Sequence, residues 1–210
     1  ESGTGKDLVA MALHNLSSRK GKPFVVQNCS AIPESLLESE LFCYKKGAFT
    51  GAAEDKAGLL MAANGGSVFL DEIGDMSFPL QARILRVIQN NEIKPLGASK
   101  TKKIDVRVIS ATNKDLVAAI KKKEFREDLW FRLNVFPIWI PPLRDRRSDI
   151  PALLQHFISL KSRELKLPAI PTVSPGVTDV FMNYHWPGNV RELQNSVERE
   201  LIINPDGPLT

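Results

Sequence analysis

Two short stretches carry residue types that could do phosphate chemistry. ESGTGKD at 1–7 places two glycines, Gly3 and Gly5, ahead of Lys6. In a G-x-x-x-x-G-K-[ST] loop, glycines let backbone N–H groups turn inward around phosphates, the following helix points its positive end at them, and the lysine neutralises β/γ charge. Ser2, Gly3, Thr4, Gly5, Lys6 and Asp7 are therefore the phosphate-binding candidates. Asp7 stands where a Mg2+-binding hydroxyl is usual, and the pattern's leading glycine and preceding strand are missing. Read alone, the stretch is either a cut phosphate loop or a Gly-Thr-Gly cap before a helix. The second stretch, SVFLDE at 67–72, is an apolar strand ending in two carboxylates. Asp71 is placed to hold Mg2+ through water, and Glu72 to polarise a water attacking a γ-phosphate. TNKD at 112–115 is one residue short of the guanine-reading N-K-x-D, so Thr112 and Asn113 either cap a strand-to-helix turn or sense phosphate.

The elements that must position these residues can be read from pattern. Phe24 to Gln27, Ser67 to Leu70, Val106 to Ser110 and Val135 to Ile140 are β-branched, aromatic and nearly continuous, as buried strands are. Residues 80–90 put Leu80, Ile84, Leu85 and Ile88 on one helix face, and 115–123 repeat the period with Leu116, Ala119 and Ile120. Such alternation predicts an α/β fold with a mainly parallel sheet flanked by helices. PPLRDRRSDIP at 141–151 breaks the pattern, and the segments at 150–165, 176–184 and 189–203 read as a small helical bundle. The expected division is 1–142 and 143–210.

Composition excludes whole classes. The 210 residues are 43% hydrophobic and 25% charged, which rules out a disordered or fibrous chain. The net charge of +4 is spread out, apart from clusters such as Lys121-Lys122-Lys123, so a nucleic-acid groove is not indicated. The two cysteines, Cys29 and Cys43, form neither a CxxC nor a zinc ligand set, which fits a reducing, cytoplasmic compartment. No apolar run approaches the ~20 residues that span a bilayer, and no membrane association is expected.

GAFTGA at 47–52 is required by no simple fold. It resembles the signature loop of bacterial enhancer-binding proteins, the AAA+ activators of sigma-54 RNA polymerase, in the nitrogen regulatory protein C family. NCSAIPESLLESELF, DEIGDMSFPLQARILRVIQ, FREDLWFRLNVFPI and WPGNVRELQN are similar to the same family across nearly the whole chain. The resemblance implies an AAA+ P-loop core, a C-terminal all-helical lid, ATP and Mg2+ as cofactors, and a ring, usually a hexamer, with nucleotide between subunits. It implies that Asn28 is a switch paired with the glutamate Glu72, that Arg126 and Arg132 reach a neighbour's γ-phosphate, and that Arg191 touches bound nucleotide from the lid. Gly47, Ala48, Phe49, Thr50, Gly51 and Ala52 would contact sigma-54. On spacing alone, Asn28 could be a strand-end amide, the two arginines surface ion-pair partners, and Arg191 a solvent-facing helix residue.

Three departures from the family stand out: Cys43-Tyr44 for a usual Gly-His, Pro95 where an arginine-containing run is usual, and Asp7 for a glutamate. The expected activity is ATP hydrolysis that remodels the closed complex of the sigma-54 holoenzyme. Two alternatives are an interaction module that docks on sigma-54 without turnover, and an unrelated AAA+ remodeller, against which GAFTGA argues. DNA contact is expected only through a domain outside these residues, the whole resembling a central fragment of a longer protein.

Overall fold

The computed structural model describes residues 1–48, 53–174, 176–205 and 207–209. In chain order the elements are α1 (Lys6–Asn15), β1 (Phe24–Asn28), α2 (Glu34–Phe42), α3 (Leu59–Ala62), β2 (Ser67–Asp71), α4 (Phe78–Asn90), β3 (Glu92–Ile93), β4 (Lys102–Lys103) and β5 (Arg107–Ser110). There follow α5 (Leu116–Lys121), α6 (Glu127–Leu133), α7 (Ile150–Glu164), α8 (Val177–Asn183) and α9 (Asn189–Ile203). By contact the chain forms two units, Asp7–Ile138 and Glu1–Lys6 with Trp139–Thr210. The sequence pattern divides the chain into 1–142 and 143–210; by contact the boundary falls after Ile138, and the first six residues group with the helical unit.

In the 7–138 unit, β1, β2 and β5 pair in parallel in the order β1-β2-β5. The central strand is buried over Ser67–Leu70, which is why its sequence is a continuous apolar run and not an alternating one. Helices flank the sheet, and Leu37, Leu41, Phe42, Leu60, Leu70, Ile84, Ile93 and Leu129 fill its core. Helix α4 turns Leu80, Gln81, Ile84, Leu85 and Val87 inward and ends at Asn91, whose left-handed φ of 53° closes the last turn through its N–H to the Val87 carbonyl. At the other end of the sheet, buried His14 meets Ser67 Oγ at 3.0 Å through Nδ1, and Arg19 donates to the Gly66 carbonyl and the Asp105 carboxylate.

Residues 135–140 were expected to be a fourth strand and are not one. Pro137 lacks a ladder donor, and Val135 and Phe136 are 79% and 83% exposed, so the apolar run here is not a buried edge.

In the helical unit, α7 packs along α9 over Leu143, Ile150, Leu154, Ile158, Trp186, Leu193, Val197 and Leu201. Lys161, almost buried, pairs with Glu164 at 2.8 Å and Glu198 at 3.0 Å, and these carboxylates raise its pKa. One isolated bridge, Val173 to Leu209, adds extended backbone to a tail expected to be purely helical.

Gln81 is the buried polar hub of the α/β unit. Its Nε2 donates to the Met76 and Glu124 carbonyls at 2.8 and 3.0 Å, and its Oε1 accepts the Arg126 N–H at 2.8 Å. Gln81→Leu leaves one buried and two partly buried backbone groups unpaired, so we expect a loss of about 3 kcal/mol in urea unfolding, and Gln81→Glu should lose no less, because a buried carboxylate would face the Met76 and Glu124 carbonyl oxygens. A change under about 1 kcal/mol for Gln81→Leu would contradict this role.

Candidate functional site

The parallel register brings the carboxyl ends of three strands level. Asn28 pairs opposite Asp71, and Leu70 opposite Ser110. Ladder bonds continue past the strands, Cys29 N–H to the Asp71 carbonyl and Ile73 N–H to the Ala111 carbonyl, both 2.9 Å. Asn28 Nδ2 donates to Asp71 Oδ2 at 3.3 Å, and its Oδ1 accepts from Ser30 N and Oγ. Glu72 has a left-handed φ of 52°, which takes it out of the strand's alternation, and its Oε2 accepts the Asn113 N–H at 3.0 Å. Where the resemblance implies an Asn28–Glu72 pair, Asn28 here donates to Asp71 and Glu72 accepts from the backbone of Asn113.

Two neighbours complete this cluster. Thr112 Oγ1 accepts the Lys114 N–H, and a Cβ at Gly74 would come within 2.8 Å of that oxygen, so Gly74 lets the two turns close together. Asp115 caps α5 through Oδ1 and the Ala118 N–H, which places the fourth residue of TNKD in a structural role. Beside them, burial pushes the Cys29 thiol up to about 12, helped by Asp71, Asp75 and Glu72, so it is inert as a nucleophile.

The two arginines flank α6 in the same unit. Arg126 is its N-cap residue, with Nε and Nη2 forking onto Asp128 at 3.0 and 2.7 Å and the guanidinium 5.2 Å from the Phe78 ring centroid. This pairing holds the Asp128 carboxyl below its ordinary range and raises Arg126. Arg132 lies exposed in the last turn.

Residues 1–6 belong to the helical unit. Gly3 and Gly5 have φ of 72° and 94°, and a Cβ at Gly3 would sit 2.4 Å from the Gly188 carbonyl oxygen, so only glycine fits there. Lys6 Nζ donates to the Glu1 carbonyl at 3.1 Å, and Arg191 Nη1 reaches Ser2 Oγ at 3.5 Å. Ser2, Gly3, Thr4, Gly5, Lys6 and Arg191 are thus gathered in one place; Asp7 is exposed in the first turn of α1. Sequence reasoning missed Glu1, Arg144 and Asn189 here. Arg144 forks onto the Glu1 carboxylate, which accepts a further bond from Asn189 Nδ2 at 3.1 Å; these partners lower Glu1 to about 2. Only the asparagine tolerating left-handed φ, before Val190-Arg191, could have signalled it.

Of the GAFTGA loop, Phe49, Thr50, Gly51 and Ala52 lie outside the described residues; Gly47 has a φ of 80°. The stem below is ordered by Tyr44 and Lys56, which exchange backbone bonds of 3.0 Å, and by Asp55, which accepts from Lys45 Nζ and the Lys46 N–H. Lys45, then Lys46, depress the Asp55 pKa. Leu96, next to Pro95, bonds both to the Cys43 carbonyl and to the Lys45 N–H. Cys43 itself adopts φ 60°, ψ 159°, a region that glycine enters freely and other residues enter under strain. Two departures noted in the sequence therefore meet at one stem.

Comparison with known proteins places the chain in a family. Residues 1–139 match the Sigma-54 interaction domain, and residues 144–210 the AAA+ ATPase lid domain. The putative uric acid sigma-54-dependent transcriptional regulator UacR of Escherichia coli (strain K12) is 53% identical over 208 residues, 99% of this chain and 35% of that protein. The Nif-specific regulatory protein of Herbaspirillum seropedicae is 53% identical over 199 residues, 95% of this chain and 36% of its own length. The crystal structure of NtrX from Brucella abortus in complex with ADP superposes with a TM-score of 0.90 at 38% identity, covering 100% of this chain and 46% of NtrX. This chain thus spans less than half the length of each. No helix among the described residues is long and apolar enough to cross a membrane. The chain belongs to the Sigma-54 interaction domain family, as an AAA+ α/β unit followed by its helical lid.

Proposed function

We propose that this chain is the ATP-hydrolysing engine of a sigma-54-dependent transcription activator, remodelling the closed RNA polymerase complex through its GAFTGA loop. The observation that carries the reading is the cluster of Asn28, Asp71, Glu72 and the Asn113 backbone at level strand ends. Open α/β sheets place their chemistry there. The loop amides of Ser2–Gly5 and Lys6 bind the β- and γ-phosphates, with Asp7 in the first turn of the helix that follows, and Arg191 senses nucleotide from the lid.

Glu72 acts as the base toward the attacking water, its carboxylate aimed by the Asn113 N–H. Asp71 would hold Mg2+ through water. Hard carboxylate oxygens fit that ion, which takes one or two protein ligands plus substrate phosphates, and it supplies charge neutralisation when bound. Asn28, tied to Asp71, relays the nucleotide state toward the loop stem. Arg126 and Arg132 complete a neighbouring subunit's site in a ring, a hexamer by family, their permanent charge suited to the transition state. We divide the chain at 142 into core and lid, assign it to the cytoplasm, and give DNA binding to a domain outside these residues.

A second reading is favoured by one observation: Lys6 Nζ rests on the Glu1 carbonyl. In it the chain docks on sigma-54 with little turnover. Hydrolysis measured against protein concentration separates the two. We expect turnover per subunit to rise cooperatively with concentration. Glu72→Gln should lower kcat at least about a hundredfold while a fluorescent ADP analogue still binds. Sigma-54 capture without hydrolysis at any concentration would overturn the engine and leave the docking module.

A further inference from the structure

Asn189 lies at the N-terminus of α9 with a left-handed φ of 55° and a side chain that is fully buried. Its Oδ1 accepts the Leu143 N–H at 2.8 Å, and its Nδ2 donates both to Glu1 Oε2 and, at 2.9 Å, to the Ser2 carbonyl. One amide therefore ties together the turn before α7, the start of α9 and the start of the phosphate loop. Arg144, beside Leu143, adds the fork to Glu1. The next two carbonyls are also engaged. Gly3 O accepts the Val190 and Arg191 N–H groups at 2.9 and 3.3 Å, and Thr4 O accepts from Arg146 Nη2 at 2.8 Å.

Across a planar trans peptide, C=O and N–H point in opposite directions. With the carbonyls of Ser2, Gly3 and Thr4 turned toward the helical unit, the N–H groups of Gly3, Thr4 and Gly5 must point away from it. The left-handed φ of Gly3 and Gly5 curves them into an anion-binding concavity. We propose that Asn189 and Arg144 are positioning residues of the phosphate loop, fixing its peptide planes by gripping Glu1 and the Ser2 carbonyl, so that the N–H face is preformed for phosphate. This rests on the nucleotide reading above for its ligand, though not for its geometry. It is separate from Arg191, whose side chain is expected to contact the nucleotide itself.

The geometry has its own test. Val190 and Arg191 are in the first turn of α9, where no intrahelical acceptor exists, so Gly3 O is what shields their amides. In the full chain without nucleotide, Arg144→Ala and Glu1→Gln should each speed hydrogen exchange at Val190 and Arg191 by about tenfold or more. Exchange at Leu193 and Val197, inside the helix, should stay unchanged. Because both changes break the Arg144–Glu1 fork, and Glu1→Gln keeps an amide oxygen for Asn189 Nδ2, the double variant should match either single one. Unchanged exchange at Val190 and Arg191, or additive effects, would overturn the proposal.

With a fluorescent ADP analogue as probe, the same variants and Asn189→Ala should bind about tenfold more weakly, and KM for ATP should rise while kcat moves far less. Asn189→Asp, which sets a second carboxylate against Glu1, should be no better than Asn189→Ala. Faster exchange with undiminished ADP binding would overturn the positioning role. If the unaltered chain binds no ADP, the nucleotide reading fails, and the exchange data still decide the grip on the loop.

Discussion

The parallel register of β1, β2 and β5 is the constraint on which the candidate site at the strand ends depends. A slip of one residue would turn every side chain of a strand to the opposite face and carry Asn28 away from Asp71. Because the central strand is buried on both faces, its apolar run does not by itself penalise such a slip, and the register rests on specific bonds, among them the ladder bonds past the strand ends from Cys29 N–H to the Asp71 carbonyl and from Ile73 N–H to the Ala111 carbonyl. It is also held from the far end. Ser67 meets His14, and Arg19 ties Gly66 to Asp105, so both ends of β2 are anchored. From that register follow the level strand ends, the turn that throws Glu72 into left-handed backbone, and its bond to the Asn113 N–H.

A second tier of contacts sets parts that must respond. Gln81 reads the position of Arg126 through its backbone, while Asp128 fixes its guanidinium, so the arginine's placement depends on α4 as much as on α6. The stem of the GAFTGA loop leans on Leu96 and passes through the strained Cys43. A backbone held in a sparsely populated conformation persists only where its surroundings over-determine it. Here those surroundings are the Tyr44–Lys56 bridge, the Asp55 contacts with Lys45 and Lys46, and the pairing of Lys56 with Glu40.

Much of this was legible in the sequence, and the failures have physical causes. The three strands of the sheet were readable because burial on both faces forces continuous β-branched and aromatic runs. Residues 135–140 carry the same composition without the partner ladder, and Pro137 was the overlooked sign. The two-residue strands β3 and β4 leave no period to detect. Motif spacing singled out Lys6, Asp71 and Glu72 as candidates, and the family resemblance added Arg191. The resemblance pairs Asn28 with Glu72, whereas here Asn28 donates to Asp71, and alternation says nothing of Glu72, which leaves the strand in left-handed backbone. Gln81, Arg144 and Asn189 were missed for another reason: apart from the bond of Gln81 to Met76, their side-chain bonds described above join positions 43 to 188 residues apart.

The central claim is that a catalytic glutamate from one subunit works with arginines from the next. Mixing two inactive variants, Glu72→Gln and Arg132→Ala, tests it most directly. Each alone should be silent, while an equimolar mixture contains interfaces where an intact Glu72 faces an intact Arg132, and hydrolysis should return. A mixture as silent as its parts, under conditions where the unaltered chain hydrolyses ATP, would contradict the account.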